Sequence, residues 1–261
     1  KSMRNVLWDK IFPPAKKVVE KGSSLWFGIE MEKYLKNAYV KKMGINVHET
    51  GLYLSEKYKD FGASPDGIRE SDNGIIEIKC ACSRLLDDKP PMYYYDQCQF
   101  QLMVIEDTPF CDYYEAHIEP VDSFSRTGYR GHDNAWRYFT TEDGNKWVIT
   151  DMKVHRILRN ENWLKNGLPL FQKFVKDLKE IKKLVRNYNL KTKKDACNML
   201  KKYRKKYSEL YYLYVEENSI KTNQLAKILI GSTAELNPLV KRSRSNSSIF
   251  PQWISNRKKS L

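Results

Sequence analysis

The sequence FGASPDGIRESDNGIIEIKC, residues 61–80, places Asp66, Glu77 and Lys79 close together among apolar residues. Its Ser-Pro-Asp-Gly portion has the turn chemistry expected where a strand ends. The isoleucine-rich portion predicts a second strand, in which alternation puts Glu77 and Lys79 on one face and the isoleucines on the other. The stretch therefore predicts two neighbouring strands that hold Asp66 beside Glu77, with the isoleucine face packed against a core.

The segment before this stretch, residues 23–43, predicts a helix that opens on serines suited to capping and stops at Gly44. A rotation of about 100° per residue puts Glu32 on an apolar stripe and Glu30 on the other side. The apolar members of that stripe are Leu25, Gly28, Ile29, Leu35 and Tyr39. A carboxylate on such a stripe loses hydration unless a positive charge meets it, so Glu32 is the acid expected to have a function.

The segment after it, PPMYYYDQCQFQLMVI at residues 90–105, predicts a helix that starts at its prolines. Gln97 lies on one side of this helix together with Tyr93, Tyr94, Phe100, Gln101 and Val104. Residues 111–120 and 145–158 predict further strands, and residues 160–187 and 193–217 predict one amphipathic helix each. Residues 121–144 predict a polar loop or hairpin, and a Ser- and Arg-rich tail follows from Lys241.

Charge divides the chain into two parts. Residues 1–160 hold 23 basic and 24 acidic residues, whereas residues 161–261 hold 23 basic and 8 acidic residues. The net charge of +14 therefore resides in the last hundred residues, which indicates a polyanionic partner, with nucleic acid favoured over an acidic membrane surface. A solvated Lys-rich helix face is the simpler alternative.

Cysteine usage and hydropathy indicate an intracellular protein that is not secreted. The five cysteines are odd in number and fit reduced, mostly buried thiols better than a disulfide framework. Cys80 and Cys82 lack the spacing of a metal or iron–sulfur site, so no iron–sulfur cluster is expected. No apolar run is long enough to span a membrane, and no membrane association is expected.

Two carboxylates on adjacent strands and a third from a helix would make an incomplete octahedral site for Mg²⁺ or Mn²⁺. The open positions of such a site accept water and a phosphate oxygen. Lys79 would orient or deprotonate the water or meet developing negative charge, and Gln97 would position the water or the ligands. A Glu-x-Lys pair alone is more often a solvated sheet face, so the prediction depends on all of these features together.

This combination resembles a known nuclease signature. ASPDG at residues 63–67, IIEIK at 75–79 and YYYDQCQFQLMV at 93–104 look like the PD-(D/E)XK nuclease superfamily, specifically the bacteriophage lambda exonuclease type, also called YqaJ-like viral recombinase nucleases. LWDK at residues 7–10 and FGIEMEKY at 27–34 support it, since the latter resembles the family's Gly-x3-Glu helix and selects Glu32. The resemblance extends over about residues 5–185.

The resemblance implies a restriction-endonuclease-like α/β core with a central mixed sheet flanked by helices. It makes Glu32, Asp66, Glu77 and the carbonyl of Ile78 ligands of Mg²⁺ or Mn²⁺, with Asp66, Glu77, Lys79 and Gln97 as the catalytic residues. It makes Ser64, Tyr94 and Arg84 candidate DNA or phosphate contacts. The core is expected over residues 1–187, and a basic helical extension and tail over residues 188–261.

The expected function is metal-dependent DNA hydrolysis, as a lambda-type 5′-to-3′ exonuclease on linear duplex DNA in recombination, repair or defence. The alternatives are an endonuclease of the same fold and a catalytically silent DNA-binding scaffold. The extension is a candidate DNA-holding arm, subunit contact in a homo-oligomer, or docking element for a helicase or annealing protein. The Lys, Asn and Tyr content favours a large DNA virus, mimivirus-like, as the source, and hence a host-cytoplasm or virion location.

Overall fold

The structure, a computed structural model, describes residues 3–15, 18–81, 84–121 and 132–216, without the side chains of residues 132–134. These residues fall into two compact units. The helical unit consists of residues 3–15 and 161–216, and the sheet unit holds the described residues between 18 and 160.

Helices occur in both units, and strands in the sheet unit. The helices are α1 (Met3–Ile11), α2 (Ser24–Met43), α3 (Met92–Val104), α4 (Glu161–Asn187), α5 (Lys193–Lys202) and α6 (Ser208–Tyr214), with a 3₁₀ helix at His132–Arg137. The strands are β1 (Val47–His48), β2 (Tyr53–Leu54), β3 (Gly62–Ala63), β4 (Gly67–Arg69), β5 (Ile75–Cys80), β6 (Phe110–Pro120), β7 (Tyr138–Thr140) and β8 (Lys146–Leu158).

The central sheet is mixed. Its strands lie side by side in the order β1, β4, β5, β6, β8 and β7, and β2 pairs with β3 in a small second sheet. β5 and β6 are parallel, whereas the other neighbours in the central sheet are antiparallel. A parallel pair needs a crossover, and α3 lies in the segment that joins β5 to β6. The predicted α/β fold, a central mixed sheet flanked by helices, is confirmed.

Alternation along β5 separates two core layers. Ile76 and Ile78 belong to the layer that contains the buried residues of α2, and both are at most 2% exposed. Ile75, on the opposite face, packs with Cys98 and Leu102 of α3. The face that carries Ile75 also carries Glu77 and Lys79, because side chains two residues apart share a face. The side chains of the candidate site therefore point toward the α3 side of the sheet.

The bounds of α2 agree with the prediction, but the buried face agrees only in part. The side chain of Ser23 accepts a hydrogen bond from the N–H of Trp26 at 3.2 Å, and Gly44 ends the helix with φ of 64°. Leu25 and Ile29, predicted on the buried stripe, are 64% and 59% exposed. The buried residues are Phe27, Met31, Leu35, Ala38 and Tyr39. Leu35 and Tyr39 of the predicted stripe are buried, so the prediction was right for the second half of α2 and wrong for Leu25 and Ile29.

The helical unit has its own apolar core, formed by residues of α1, α4, α5 and α6. Its buried members are Leu7, Trp8, Ile181, Leu184, Ala196, Met199, Leu200, Leu210 and Tyr214. The indole N–H of Trp8 donates to the carbonyl of Tyr214 at 3.0 Å, which ties the first helix to the last. The single helix predicted over residues 193–217 was wrong, because α5 ends at Lys202 and α6 starts at Ser208.

The two units divide after Asn160, within the predicted core of residues 1–187. The assignment of residues 1–187 and 188–261 as functional domains stays a prediction. Cys82, residues 122–131 and the tail from Lys241 lie outside the described residues. None of the helices in the described ranges has the length and apolar character of a membrane span.

Candidate active site

The β4–β5 pair brings Asp66 beside Glu77. The antiparallel register pairs Gly67 with Ile76, and the N–H of Asp66 donates to the carbonyl of Ile76 at 3.1 Å. Gly67 is required at this point, since a side chain there would collide with Val47 and the carbonyl of His48 on β1. The Pro-Asp-Gly sequence thus lets β1 approach closely while Asp66 stays next to β5.

Glu77 is a buried carboxylate, 1% exposed, that is held by three side chains. Lys79 forms an ion pair with its Oε1, and the amide of Gln97 donates to the same oxygen at 2.7 Å. The amide of Gln101 donates to Oε2 at 2.6 Å. Three donors fix the orientation of this carboxylate and compensate its burial.

Asp66 lies in a less favourable environment than Glu77. Its Oδ2 accepts a hydrogen bond from the N–H of Ile78 at 2.6 Å. Burial and the negative charge of Glu77 raise its pKa from 3.8 to about 7, Glu32 adds to the rise, and the Ile78 N–H and Lys79 oppose it. Burial is the largest cause of this rise, so ionisation of the Asp66 carboxyl is disfavoured in the folded protein.

Asp112, a second buried acid, shows the opposite behaviour on the α2 side of the sheet. Arg156 contacts its Oδ1 at 2.9 Å, Tyr39 donates to its Oδ2 at 2.7 Å, and Arg69 contacts the same oxygen at 2.5 Å. Burial alone would raise the pKa of Asp112, but the hydrogen bonds from Arg156 and Tyr39 and the charges of both arginines lower it. Asp112 is thus a paired structural acid, whereas Asp66 is available for another partner.

Glu32 is half-buried and close enough for its charge to raise the pKa of Asp66. Glu30 is also half-buried, and its carboxylate lies 3.7 Å from the ammonium of Lys33. Burial does not separate the two acids, although the charge of Glu32 acts on the pKa of Asp66, so a functional role for Glu32 stays a prediction.

Lys79 is the cation of the site, and its ammonium lies 5.5 Å from the ring centroid of Tyr94. Burial by itself lowers the pKa of Lys79, but the charges of Glu77 and Asp66 outweigh burial and raise the pKa above its usual value. Lys79 is therefore charged at neutral pH.

Arg84 is held beside Tyr94 by an acid that sequence reasoning missed. Its guanidinium forms an ion pair with Glu115, donates to the hydroxyl of Tyr113 at 2.9 Å and lies 5.8 Å from the ring centroid of Tyr94. The hydroxyl of Tyr113 in turn donates to Glu115 at 2.7 Å. Glu115 is fully buried, so this network holds the guanidinium of Arg84 from its buried side.

Two of the predicted residues are exposed. Ser64 lies at the surface two residues before Asp66, and the exposed Gln97 still reaches Glu77. The role of Gln101 was also missed. Gln101 lies four residues after Gln97, which places both side chains on one side of the helix. Only the tertiary structure shows that both amides donate to Glu77. Nothing in the local sequence pairs Glu115 with Arg84, which lies 31 positions earlier.

The donor chemistry of the site fits a hard divalent cation. Asp66, Glu77 and the carbonyl of Ile78 offer oxygen atoms, and burial together with the charge of Glu77 raises the pKa of Asp66, so a bound cation would favour its ionised form. Oε1 of Gln101 and Oε1 of Glu115 accept no hydrogen bond from the described residues. Across those residues, no three His, Cys, Asp or Glu side chains are grouped closely enough to define a metal centre. Metal ligation by Glu32, Asp66 and Glu77 therefore stays a prediction.

Comparison with known proteins gives a family match over part of the chain. Residues 6–112 match the profile of the YqaJ-like viral recombinase domain. No curated protein matches the chain. The predicted giant-virus source stays a prediction.

Similar solved structures include an alkaline exonuclease, LHK-Exo, from Laribacter hongkongensis. It is 19% identical with a TM-score of 0.49, over 72% of this chain and 82% of that chain. LHK-Exo in complex with dAMP is 22% identical with a TM-score of 0.48, over 72% and 83%. At this sequence identity and TM-score, neither similarity supports an argument about the function of this chain.

Proposed function

We propose that the protein is a divalent-metal-dependent nuclease that hydrolyses DNA phosphodiester bonds, and the match of residues 6–112 to the YqaJ-like viral recombinase domain supports this proposal. The observation that carries the proposal is the group of Asp66, Glu77 and Lys79, in which one acid is fixed by donors and the other has a pKa raised to about 7. In finer terms, we propose a lambda-type 5′-to-3′ exonuclease acting on linear duplex DNA.

Asp66 and Glu77 would hold Mg²⁺ or Mn²⁺ through their carboxylates, Ile78 through its carbonyl, and Glu32 directly or through water. When bound, the cation supplies charge neutralisation at the phosphate and lowers the pKa of a water molecule. Ionised carboxylates of Asp66 and Glu77 would otherwise repel a phosphodiester. This electrostatic argument supports the metal requirement.

Lys79 would stabilise negative charge on the phosphate. Its raised pKa keeps the ammonium protonated, which disfavours a role as general base and favours electrostatic stabilisation of the transition state. Gln97 and Gln101 would keep Glu77 oriented throughout the reaction, since each amide donates to a different oxygen.

Arg84 would bind a second phosphate of the same DNA strand. Its side chain is 29% exposed, lies beside Tyr94 and is held from below by Glu115 and Tyr113. A guanidinium fixed in this way loses little side-chain freedom on binding, and its fork geometry matches phosphate oxygens. Tyr94 and Ser64 are the further candidate contacts.

A digestion assay with the purified full chain tests the proposal. Linear duplex DNA should disappear in Mg²⁺ and persist in EDTA. Asp66→Ala, Glu77→Ala and Lys79→Ala should each lower the rate by at least about 10²-fold, as loss of a transition-state contact does. Glu32→Ala should also lower the rate, and Glu30→Ala is its control, because Glu30 lies two residues away on the same helix and its carboxylate is next to Lys33. Full activity in all three central variants would refute the site.

The form of the substrate separates the finer alternatives. An exonuclease leaves covalently closed circular DNA intact, whereas an endonuclease nicks it. A duplex labelled at the 5′ end of one strand and, separately, at the 3′ end reports the direction of digestion. Early release of the 5′ label as a mononucleotide would support the proposed polarity, and early release of the 3′ label would contradict it.

A further inference from the structure

Residues 201–206, Lys-Lys-Tyr-Arg-Lys-Lys, comprise the last two residues of α5 and most of the turn that leads to α6, and are here called the basic turn. It holds five cations and no acid in six residues, all of them exposed. The ion pairs found among the described residues all involve other cations. The basic turn is therefore a concentrated positive charge without a carboxylate partner in the described part of the chain.

The backbone of the basic turn is fixed by hydrogen bonds. The N–H of Tyr203 donates to the carbonyl of Met199 at 3.0 Å. The N–H groups of Lys206 and Tyr207 donate to the carbonyl of Tyr203 at 2.9 and 3.1 Å. The flanking leucines, Leu200 and Leu210, are buried in the core of the helical unit. Like charges held together in this way repel one another, and a polyanion relieves that repulsion.

Two exposed aromatic rings accompany the cations. Tyr188, just after α4, lies with its ring centroid 6.3 Å from that of Tyr203, and the two residues are 47% and 38% exposed. Cations interleaved with exposed aromatic rings are typical of surfaces that bind nucleic acid, because lysine neutralises phosphate and a ring stacks on a base. The large apolar residues exposed in the described helical unit are tyrosines, without the aliphatic side chains that anchor a helix in a membrane.

We infer that the basic turn is a DNA-binding surface that contacts the phosphate backbone, in addition to the candidate active site. The choice of DNA over another polyanion rests on the proposed function, because the same chain carries the recombinase domain. The basic turn adds affinity that is independent of base sequence, since lysines contact phosphates and do not read bases. Its contribution falls as salt concentration rises.

A binding titration tests this inference on the full chain. A fluorescently labelled duplex is titrated in EDTA, so that it is not digested, at several salt concentrations. The variant changes Lys201, Lys202, Lys205 and Lys206 to Gln. Its Kd should rise at least tenfold at low salt. The magnitude of the slope of log affinity against log salt should fall by about 2, which corresponds to the loss of two phosphate contacts at about 0.9 each.

A second variant controls for net charge. It changes Lys41, Lys57, Lys59 and Lys146 to Gln, which removes the same charge from scattered exposed positions of the sheet unit. Its salt slope should stay close to that of the unchanged protein. Equal effects of the two variants, or an unchanged slope in the first, would overturn the inference. Circular dichroism confirms that both variants fold.

Two further measurements separate this inference from neighbouring ideas. Binding to phosphatidylserine vesicles that is lost in the basic-turn variant while DNA binding is retained would overturn it in favour of a membrane surface. Digestion of linear duplex in Mg²⁺ reports on the proposed function independently. If the protein digests DNA but the basic-turn variant binds DNA as tightly as the parent, only this inference fails. If the protein does not digest DNA but the basic-turn variant loses affinity for DNA, only the nuclease proposal fails.

Discussion

Gln101 donates its side-chain amide to Oε2 of Glu77 at 2.6 Å from a position that is 3% exposed. The donor reaches the carboxylate from within the core, on the side opposite to Lys79 and Gln97, which share the other oxygen. The carboxylate thus has a donor on each oxygen, and only Gln97 among them is exposed. One of the three contacts that orient Glu77 therefore comes from within the core.

Gln101→Met should destabilise the fold and lower activity. Methionine keeps the volume but leaves one oxygen of a buried carboxylate without a donor, which costs about 1–3 kcal/mol of unfolding free energy. Activity per folded molecule should fall about tenfold or more, as the carboxylate loses its orientation. Urea unfolding and initial rates measure the two effects.

Gln99→Met is the matched control for that variant. Gln99 is buried on the same helix, but it donates to the carbonyl of Leu158 at 2.7 Å and accepts from the N–H of Asn160 at 2.9 Å. It should lose stability while keeping its activity per folded molecule. An equal loss of that activity in both variants would show that Gln101 acts only through general packing.

Arg84 and Glu115 should be energetically coupled. A cycle of Arg84→Met, Glu115→Gln and the double variant should give a coupling energy of about 1–3 kcal/mol in unfolding free energy, because the carboxylate is fully buried. Both single variants should weaken DNA binding in EDTA. Arg84→Met removes the guanidinium, and Glu115→Gln removes the carboxylate that holds the guanidinium in place.

The exposed pair of Lys153 and Asp88, at 2.7 Å, provides the comparison. Its coupling should stay below about 1 kcal/mol, as is usual for solvated ion pairs. Coupling in the Arg84 cycle no larger than in this one would contradict the proposed support of Arg84 by Glu115.

Asp66→Asn should stabilise the metal-free protein at high pH. Because folding raises the pKa of Asp66 from 3.8 to about 7, the folded protein holds this proton more tightly, and stability is lost as pH rises through that interval. Asparagine carries no charge, so the variant should gain at most about 4 kcal/mol at pH 8 relative to the parent. The gain should vanish near pH 3. Thermal unfolding in EDTA from pH 3 to pH 9 measures it.

Asp112→Asn should have the opposite effect. The pKa of Asp112 is lowered on folding, so its contribution is present above the unfolded pKa and lost as pH falls. The substitution leaves Arg69 and Arg156 without their buried counter-charge and should cost about 3–5 kcal/mol at pH 8. Destabilisation by both substitutions at pH 8 would contradict the distinction drawn between the two acids.

Mg²⁺ should stabilise the protein through Asp66. A ligand at 100 times its Kd adds about 2.7 kcal/mol to the unfolding free energy. Since a cation binds the ionised carboxylate, the rise in Tm should be larger at pH 8.5 than at pH 6. It should be largely absent in Asp66→Asn. The same rise in Tm with and without Asp66 would place the cation elsewhere.

Some features of this site follow from local sequence. Strand alternation is enough to place Glu77 and Lys79 on one face, because the side-chain period of a strand is two whatever surrounds it. Serine and glycine at the ends of α2 fix its bounds through their own backbone and side-chain bonds. The hairpin of β4 and β5, closed by residues 70–74, brings Asp66 to Glu77. Each of these depends on interactions between residues near one another in the chain.

Other features required the tertiary structure. Which face of α2 is buried depends on where the sheet lies, so Leu25 and Ile29 are exposed despite being apolar. The opposite pKa directions of Asp66 and Asp112 depend on whether arginines from other strands reach them. The links from Gln101 to Glu77 and from Glu115 to Arg84 join residues 24 and 31 positions apart. Sequence alone selected the residue types for the chemistry, but charge balance and orientation at the site arise from long-range packing, which no local pattern records.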